Sequence, residues 1–272
     1  MKTVETNAVP PPLATPLLPV NGVWVKAEGK QRTGSVKYRL VASRVGAALR
    51  AATLRPGQTL MEVSSGSTGV ALAWIGRACG FPVEVHAYEG ASRWKLAQMT
   101  EWGARVVLHP ASDPMRALLE EVGRRAEGAG AWLLGQYRRD VGKEAYEDLA
   151  AEMLRQLGEA GVRTPRVFAA PVGTGGLLQG VGAALRRAVP GIRIVAIEPA
   201  PGAVIEGMRR FRWEHLGAED PFDIAFPDAV EVAAAAPPAA ILAGRAIGES
   251  ASATLEVVRR LGWPDAVIVA AD

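Results

Sequence analysis

Cysteine is nearly absent from this chain. Cys79 stands alone, which excludes an internal disulfide, and its apolar surroundings suit a small core side chain. Histidine is almost as scarce. His86, His109 and His215 lie far apart in the sequence and match no metal-ligand spacing, so each reads as a surface or hydrogen-bonded residue and no metal is expected. No apolar run is long enough to cross a bilayer. The start of the chain lacks the basic region, apolar stretch and cleavage site of a secretory leader, so a cytoplasmic protein without a membrane partner is expected. Charge bias is missing too: 31 basic and 28 acidic residues leave a net charge of +3. Arginine pairs such as Arg124-Arg125 and Arg186-Arg187 sit among acidic or apolar neighbours, as on solvated helix faces, and nucleic acid is not an expected partner. There is no internal repeat and no low-complexity linker. Lysine is rare: only 6 of the 31 basic residues are lysine.

What the chain does have is a regular alternation of strand-like and helix-like segments. With 272 residues, 49% of them hydrophobic, it can bury one large core or two smaller ones. Residues 1–20, rich in proline, read as an extended arm, and Val23–Ala27 as a short strand. Helical periodicity covers 35–53, 68–79, 92–102, 114–127, 142–157, 175–189 and 238–261, the last with a break near 248–250. Strands are predicted at 59–63, 83–87, 105–108, 131–134, 166–170, 192–197, 229–232 and 267–270, and 207–228 is irregular. This alternation predicts an α/β fold of mainly parallel sheets covered by helices. Two strand-rich regions, about 40–137 and 139–272, are expected to form two lobes with a cleft between them.

Two glycine- and serine-rich loops stand out: Ser64-Ser65-Gly66-Ser67-Thr68-Gly69 and Gly173-Thr174-Gly175-Gly176. Each follows a predicted strand and opens a predicted helix. That placement gathers free N–H groups and a helix dipole at one point, which suits an anion. A serine-rich turn capping a helix would account for the first loop by itself. The second loop suggests a dinucleotide site, with Glu198 as a ribose-binding acid. The glycine fingerprint fails there, because Leu178 stands at its last position. A third segment, Thr33-Gly34-Ser35-Val36-Lys37, sets a lysine at the start of a helix, where burial and nearby helix ends would lower its pKa. Two anion cradles and one such amine suggest a phosphorylated aldehyde cofactor held as a Schiff base.

In this combination and order the motifs resemble the cysteine synthase and cysteine desulfhydrase family of pyridoxal-phosphate enzymes, the tryptophan synthase β-like fold type II. Thr15-Pro16-Leu17 and Val25-Lys26-Ala27-Glu28 are similar to its opening. Thr33–Arg39 resembles its lysine motif, Ser64–Gly69 its substrate loop, Gly173–Gly176 its phosphate loop and Gly248-Glu249-Ser250 its late Gly-x-Ser.

The resemblance implies a two-lobed, three-layer αβα fold with a small mobile domain at 40–137 and a large cofactor-binding domain at 1–39 and 138–272. It implies pyridoxal 5′-phosphate joined to Lys37, which also moves the substrate's α-proton. Gly173, Thr174, Gly175, Gly176 and Leu177 would hold the phosphate. Ser67, where the family has asparagine, would meet the cofactor's ring oxygen, and Ser250 the pyridine nitrogen. Ser64, Ser65, Gly66, Thr68 and Gln136 would bind the substrate carboxylate. A hydroxyl partner such as Ser250 leaves the ring nitrogen unprotonated, which favours loss of a β-substituent over transamination.

The implied reaction is β-replacement on an O-activated serine by a sulfur nucleophile, giving cysteine or a related amino acid. The alternative is β-elimination that releases sulfide from cysteine. A catalytically silent relative and a dinucleotide-binding oxidoreductase are more distant alternatives. The partners implied are the small amino acid, the sulfur nucleophile and a second copy in a homodimer. The segment Arg209-Arg210-Phe211-Arg212-Trp213 departs from the family pattern.

Overall fold

A computed structural model describes residues 9–138, 144–162, 164–210, 227–235, 237–242, 244–263 and 265–272. His215 and the aromatic residues Phe211, Trp213, Phe222 and Phe226 lie outside the described residues. The chain divides into two compact units, one containing Lys37–Gln136 and the other Leu13–Val36 with the described residues from Tyr137 onward.

The second unit opens with Leu17–Val20 (β1) and Val23–Ala27 (β2), paired antiparallel. They turn through Asn21 and Gly22, both at positive φ, the two-residue turn whose twist matches paired strands. Of the expected extended arm at 1–20, residues 1–8 lie outside the described residues and Leu17–Val20 form a strand. Strand β2 buries a lysine: the Lys26 ammonium donates to the Thr15 carbonyl, to Glu152 Oε1 (2.5 Å) and to Gln156 Oε1 (2.8 Å). A buried charge is tolerable only when paired and hydrogen-bonded in this way.

The first unit follows a strict strand–helix alternation: Lys37–Arg50 (α1), Leu60–Val63 (β3), Ser67–Cys79 (α2), Val83–Tyr88 (β4), Arg93–Glu101 (α3), Arg105–His109 (β5), Met115–Gly128 (α4) and Trp132–Leu133 (β6). Its sheet has the order β5-β4-β3-β6, and every pairing is parallel. Leu60, Val83 and Val85 share a core with Val41 and Val45 of α1 and with Val70, Leu72 and Ile75 of α2. Each such side chain contributes about 1.5–3 kcal/mol by leaving water. Gly76 lets α2 approach β4 closely: a Cβ there would lie 2.1 Å from Val83 Cγ2.

In the second unit come Glu147–Glu159 (α5), Val167–Pro171 (β7), Gly176–Ala188 (α6), Arg193–Pro199 (β8), Ala229–Ala233 (β9), Ile241–Leu242 (β10), Arg245–Ala246 (β11), Glu249–Arg260 (α7) and Ala266–Ala270 (β12). The main sheet runs β1-β2-β12-β7-β8-β9, and β1 alone is antiparallel. Central strands β7 and β12 are buried throughout, as parallel strands covered on both faces must be. One expectation fails here. The alanine-rich stretch from 238 is not helical before Glu249; it forms the β10–β11 hairpin, turned through Gly244 at φ +78°. Pro237 and Pro238 remove backbone donors at its start. The α/β fold of mainly parallel sheets is otherwise as the alternation predicts.

Candidate cofactor and substrate site

In the first unit the functional loop is the short link between β3 and α2. Ser64 organises it. Its N–H donates to the His86 carbonyl (2.8 Å), and its Oγ accepts from the N–H groups of Gly66 (3.3 Å) and Gly69 (3.0 Å). Ser65 Oγ accepts from Tyr88 N–H (2.9 Å), so both serines fasten the loop to β4. Gly66 caps α2 in extended conformation. The first-turn donors at Ser67 and Thr68 are not consumed by the helix itself, and Ser67 is half-buried. The Thr68 hydroxyl donates to Gln136 Oε1 (2.6 Å), and Gln136 Nε2 donates to the Val63 carbonyl (2.9 Å). Ser64 is thus bonded to Gly66 and Gly69 and Thr68 to Gln136, with Ser65 and Ser67 in the same loop, and Gln136 retains a second amide hydrogen for a ligand.

Lys37 opens α1 in the same unit. Its charge acts on a residue that the sequence reading overlooked, Glu62. This carboxyl is 1% exposed. Oε1 accepts from Val63 N–H (2.7 Å) and Oε2 from Gln136 N–H (3.1 Å). Burial pushes its pKa up to about 7, while the N–H groups of Gln136, Val63 and Gly135 and the charge of Lys37 pull it down. An acid inside the otherwise apolar strand Leu60-Met61-Glu62-Val63 is itself a signal, because glutamate is almost never fully buried without a partner.

The second unit carries the other loop, between β7 and α6. Gly175 caps α6 in the left-handed region at φ +79°, a conformation that favours glycine. A Cβ on Gly173 would come within 2.9 Å of the Gly207 carbonyl. Arg209 N–H donates to the Val172 carbonyl (2.6 Å), so the chain around 207–209 lies against the base of this loop. Gly207 in turn neighbours Ser250, whose Oγ would be 3.8 Å from a Cβ at that glycine. Gly173, Thr174, Gly175, Gly176, Leu177 and Ser250 therefore share one neighbourhood with Gly207. Thr174 is half-buried, whereas the side chain of Leu177 is 6% exposed and leaves only its backbone to a ligand. Ser250 is 3% exposed, in the first turn of α7, with its Oγ 3.5 Å from Asp272 Oδ1.

The cradle fits a phosphate: a glycine-rich loop at the start of a 13-residue helix presents N–H donors and the positive end of the dipole. It fits a dinucleotide less well. Leu178, at the third glycine position of that fingerprint, is buried in the core.

Among the described residues no group of three metal-binding side chains occurs. Two histidines nevertheless meet: His86 Nδ1 lies 2.8 Å from His109 Nε2, and His86 Nε2 lies 3.0 Å from Glu84 Oε1. No described helix is long and apolar enough to cross a membrane.

Comparison with known proteins agrees with this chemistry. A family model described as pyridoxal-phosphate dependent enzyme matches residues 4–271. The cysteine synthase of Staphylococcus aureus (strain Mu50) is 34% identical over 185 residues, 68% of this chain and 59% of the staphylococcal enzyme. The aligned part thus spans less than two thirds of that relative. Among solved structures, an O-ureido-L-serine synthase superimposes with a TM-score of 0.79 at 24% identity, covering 99% of this chain and 90% of its own. A hydrogen sulfide-producing enzyme from Fusobacterium nucleatum gives 0.84 at 22% identity, covering 98% and 96%. At such identities these two likenesses speak to the fold.

Proposed function

The chain belongs to the family of pyridoxal-phosphate dependent enzymes, and from that premise we propose that it catalyses β-replacement on an O-activated serine, giving cysteine or a related amino acid. The observation that carries this reading is the Thr68–Gln136 pair set at the N-terminus of α2. It is a site for a small carboxylate, of the size and charge an amino acid presents. When bound, the cofactor stabilises negative charge developing at the substrate's Cα.

The residues of this chain have separate tasks. Lys37 Nζ would hold the cofactor and carry the proton to and from Cα. Backbone N–H groups of Gly173, Thr174, Gly175, Gly176 and Leu177 would bind the phosphate. The Ser250 hydroxyl would meet the ring nitrogen as a neutral partner. Ser67 would touch the ring oxygen. Ser64, Ser65, Gly66 and Thr68, with Gln136, would fix the carboxylate and orient the α-proton toward the lysine.

β-Elimination from cysteine is the second reading, because the same groups serve it and a hydrogen sulfide-producing enzyme shares the fold. A homodimer acting in the cytoplasm completes the proposal. It rests on the family resemblance, and sedimentation of the purified chain tests its oligomeric part.

The deciding experiment incubates the purified protein with O-acetylserine plus sulfide, and separately with cysteine. Cysteine formation in the first is the expected result. Pyruvate, ammonia and sulfide from cysteine alone, with nothing made from O-acetylserine, would replace the first reading by the second. Lys37→Ala should abolish borohydride-reducible cofactor while leaving the fold intact. A reducible linkage that persists on another residue would show that Lys37 is the wrong lysine.

A further inference from the structure

We infer that Glu62 is a positioning residue for the proposed reaction: its carboxyl joins the base of the Ser64–Gly69 loop to Gln136. The inference rests on the functional reading above and deepens it.

The geometry is a clamp. One carboxyl oxygen accepts from Val63, the last residue of β3 before the loop; the other accepts from Gln136. Gln136 returns to the same strand through the Val63 carbonyl and holds the Thr68 hydroxyl with its amide oxygen. From two residues before the loop, Glu62 therefore ties Val63, which leads into it, to Gln136, which holds its Thr68. Loss of the clamp would loosen Gln136 and Thr68 together.

The electrostatic surroundings make this carboxyl responsive. Glu62 pairs in register with Val85, whereas Glu84 and His86 of β4 pair with Met61 and Val63. Side chains alternate along strands, so Glu84 and His86 lie on the opposite face of the sheet. On Glu62's own face, α2 carries no charged side chain before Arg77. Helix α1 brings Lys37, and Arg44, whose guanidinium reaches the Leu134 carbonyl (3.5 Å). Of these, Lys37 is the cation whose attraction lowers the proton affinity of Glu62. When Lys37 is neutral, the buried carboxyl keeps its proton more readily; when Lys37 becomes an ammonium, the carboxylate is favoured and the new charge is stabilised. The amine's basicity is thereby coupled to a group that also holds the substrate clamp.

The test compares wild type, Glu62→Gln and Lys37→Ala as full chains. In the holoenzyme, Glu62→Gln should lower kcat about tenfold to a hundredfold and remove the limb of the kcat/KM profile nearest pH 7. A profile that keeps its wild-type shape overturns the inference. Without substrate, the denaturant midpoint of wild type should fall as pH rises from 4.5 to about 7; in Lys37→Ala that fall should extend to higher pH. An unchanged fall in Lys37→Ala overturns the coupling, and this measurement stands even if Glu62→Gln does not fold. Should wild type turn over neither O-acetylserine nor cysteine, the functional reading fails. The pH dependence of borohydride trapping of pyridoxal phosphate at Lys37 then decides: a shifted profile in Glu62→Gln upholds the inference, and one shared with wild type overturns it.

Discussion

Glu62 and Glu84 occupy adjacent strands of one parallel sheet, and both are almost completely buried, 1% and 6% exposed. Their surroundings differ. Glu84 faces α4, where Arg125 Nε lies 2.7 Å from one carboxyl oxygen; Arg105 lies 3.2 Å from the other, and His86 3.0 Å from the first. Burial penalises its charge, but the Arg125 hydrogen bond and His86 outweigh that cost and hold its pKa below the ordinary carboxylate value. Glu62 receives only backbone N–H groups and a more diffuse attraction from Lys37, so burial prevails and its carboxyl titrates near 7. The same side chain on the two faces of one sheet is thus a fixed anion in one place and a proton-holding acid in the other. Cationic partners that reach solvent hold the charge on Glu84, whereas deep burial prevails at Glu62.

The contrast is broken most directly by pH. A rise from 4.5 to about 7 corresponds to about 3 kcal/mol. Because the folded state holds the Glu62 proton more tightly than the unfolded state, this group's contribution is greatest below pH 4.5 and is lost as pH rises to about 7. Glu84 has the opposite sign: its folded pKa is lowered, so its contribution is present above the unfolded value and is lost as pH falls through the folded one. Urea denaturation across pH should give a flatter curve for Glu62→Gln above pH 4.5 and an unaltered acid limb. An identical curve would remove the assigned difference between the two glutamates.

A smaller effect is expected from Arg125→Ala. It strips Glu84 of its main partner but leaves Arg105 and His86, and Arg125 is itself 45% exposed. A loss of about 1–2 kcal/mol at neutral pH, fading in acid, is expected by urea denaturation.

Smallest is His109→Phe, which deprives His86 Nδ1 of its partner and should cost about 1 kcal/mol. Burial keeps the His86 pKa low. Acid therefore favours the unfolded chain as pH falls below 6.5, and proton NMR of the ring should show His86 titrating below that value in wild type.

The comparison also shows which parts of the molecule the sequence made legible. Alternating apolar runs gave away the parallel sheets, and Ser64–Gly69 and Gly173–Gly176 declared themselves by their place between strand and helix. Glu62 stands as a lone acid in the apolar strand Leu60–Val63, a signal weaker than the glycine- and serine-rich loop beside it. His86 and His109 are separated by 22 residues of chain and meet because β4 and β5 lie side by side, with Tyr88 in register with His109; spacing along the chain carries no trace of that. The alanines around 239–240 favour helix by local propensity, and tertiary pairing of Ile241 and Leu242 with Arg245 and Ala246 prevailed. The turn Asn21-Gly22 was a readable hairpin signal, flanked by Leu17, Leu18 and Val20 on one side and Val23 and Val25 on the other. Gly207 could not be chosen among 30 glycines until its carbonyl was seen beside Gly173.

The buried ammonium of Lys26 has a consequence for handling the protein. Its three hydrogens are matched by three acceptors, from Thr15, Glu152 and Gln156, and a protonated amine has no lone pair with which to attack a carbonyl. Reagents that acylate or alkylate amines should pass it by in the native fold and reach it only after denaturation, so mass shifts recorded before and after unfolding would separate this structural cation from exposed lysines such as Lys30.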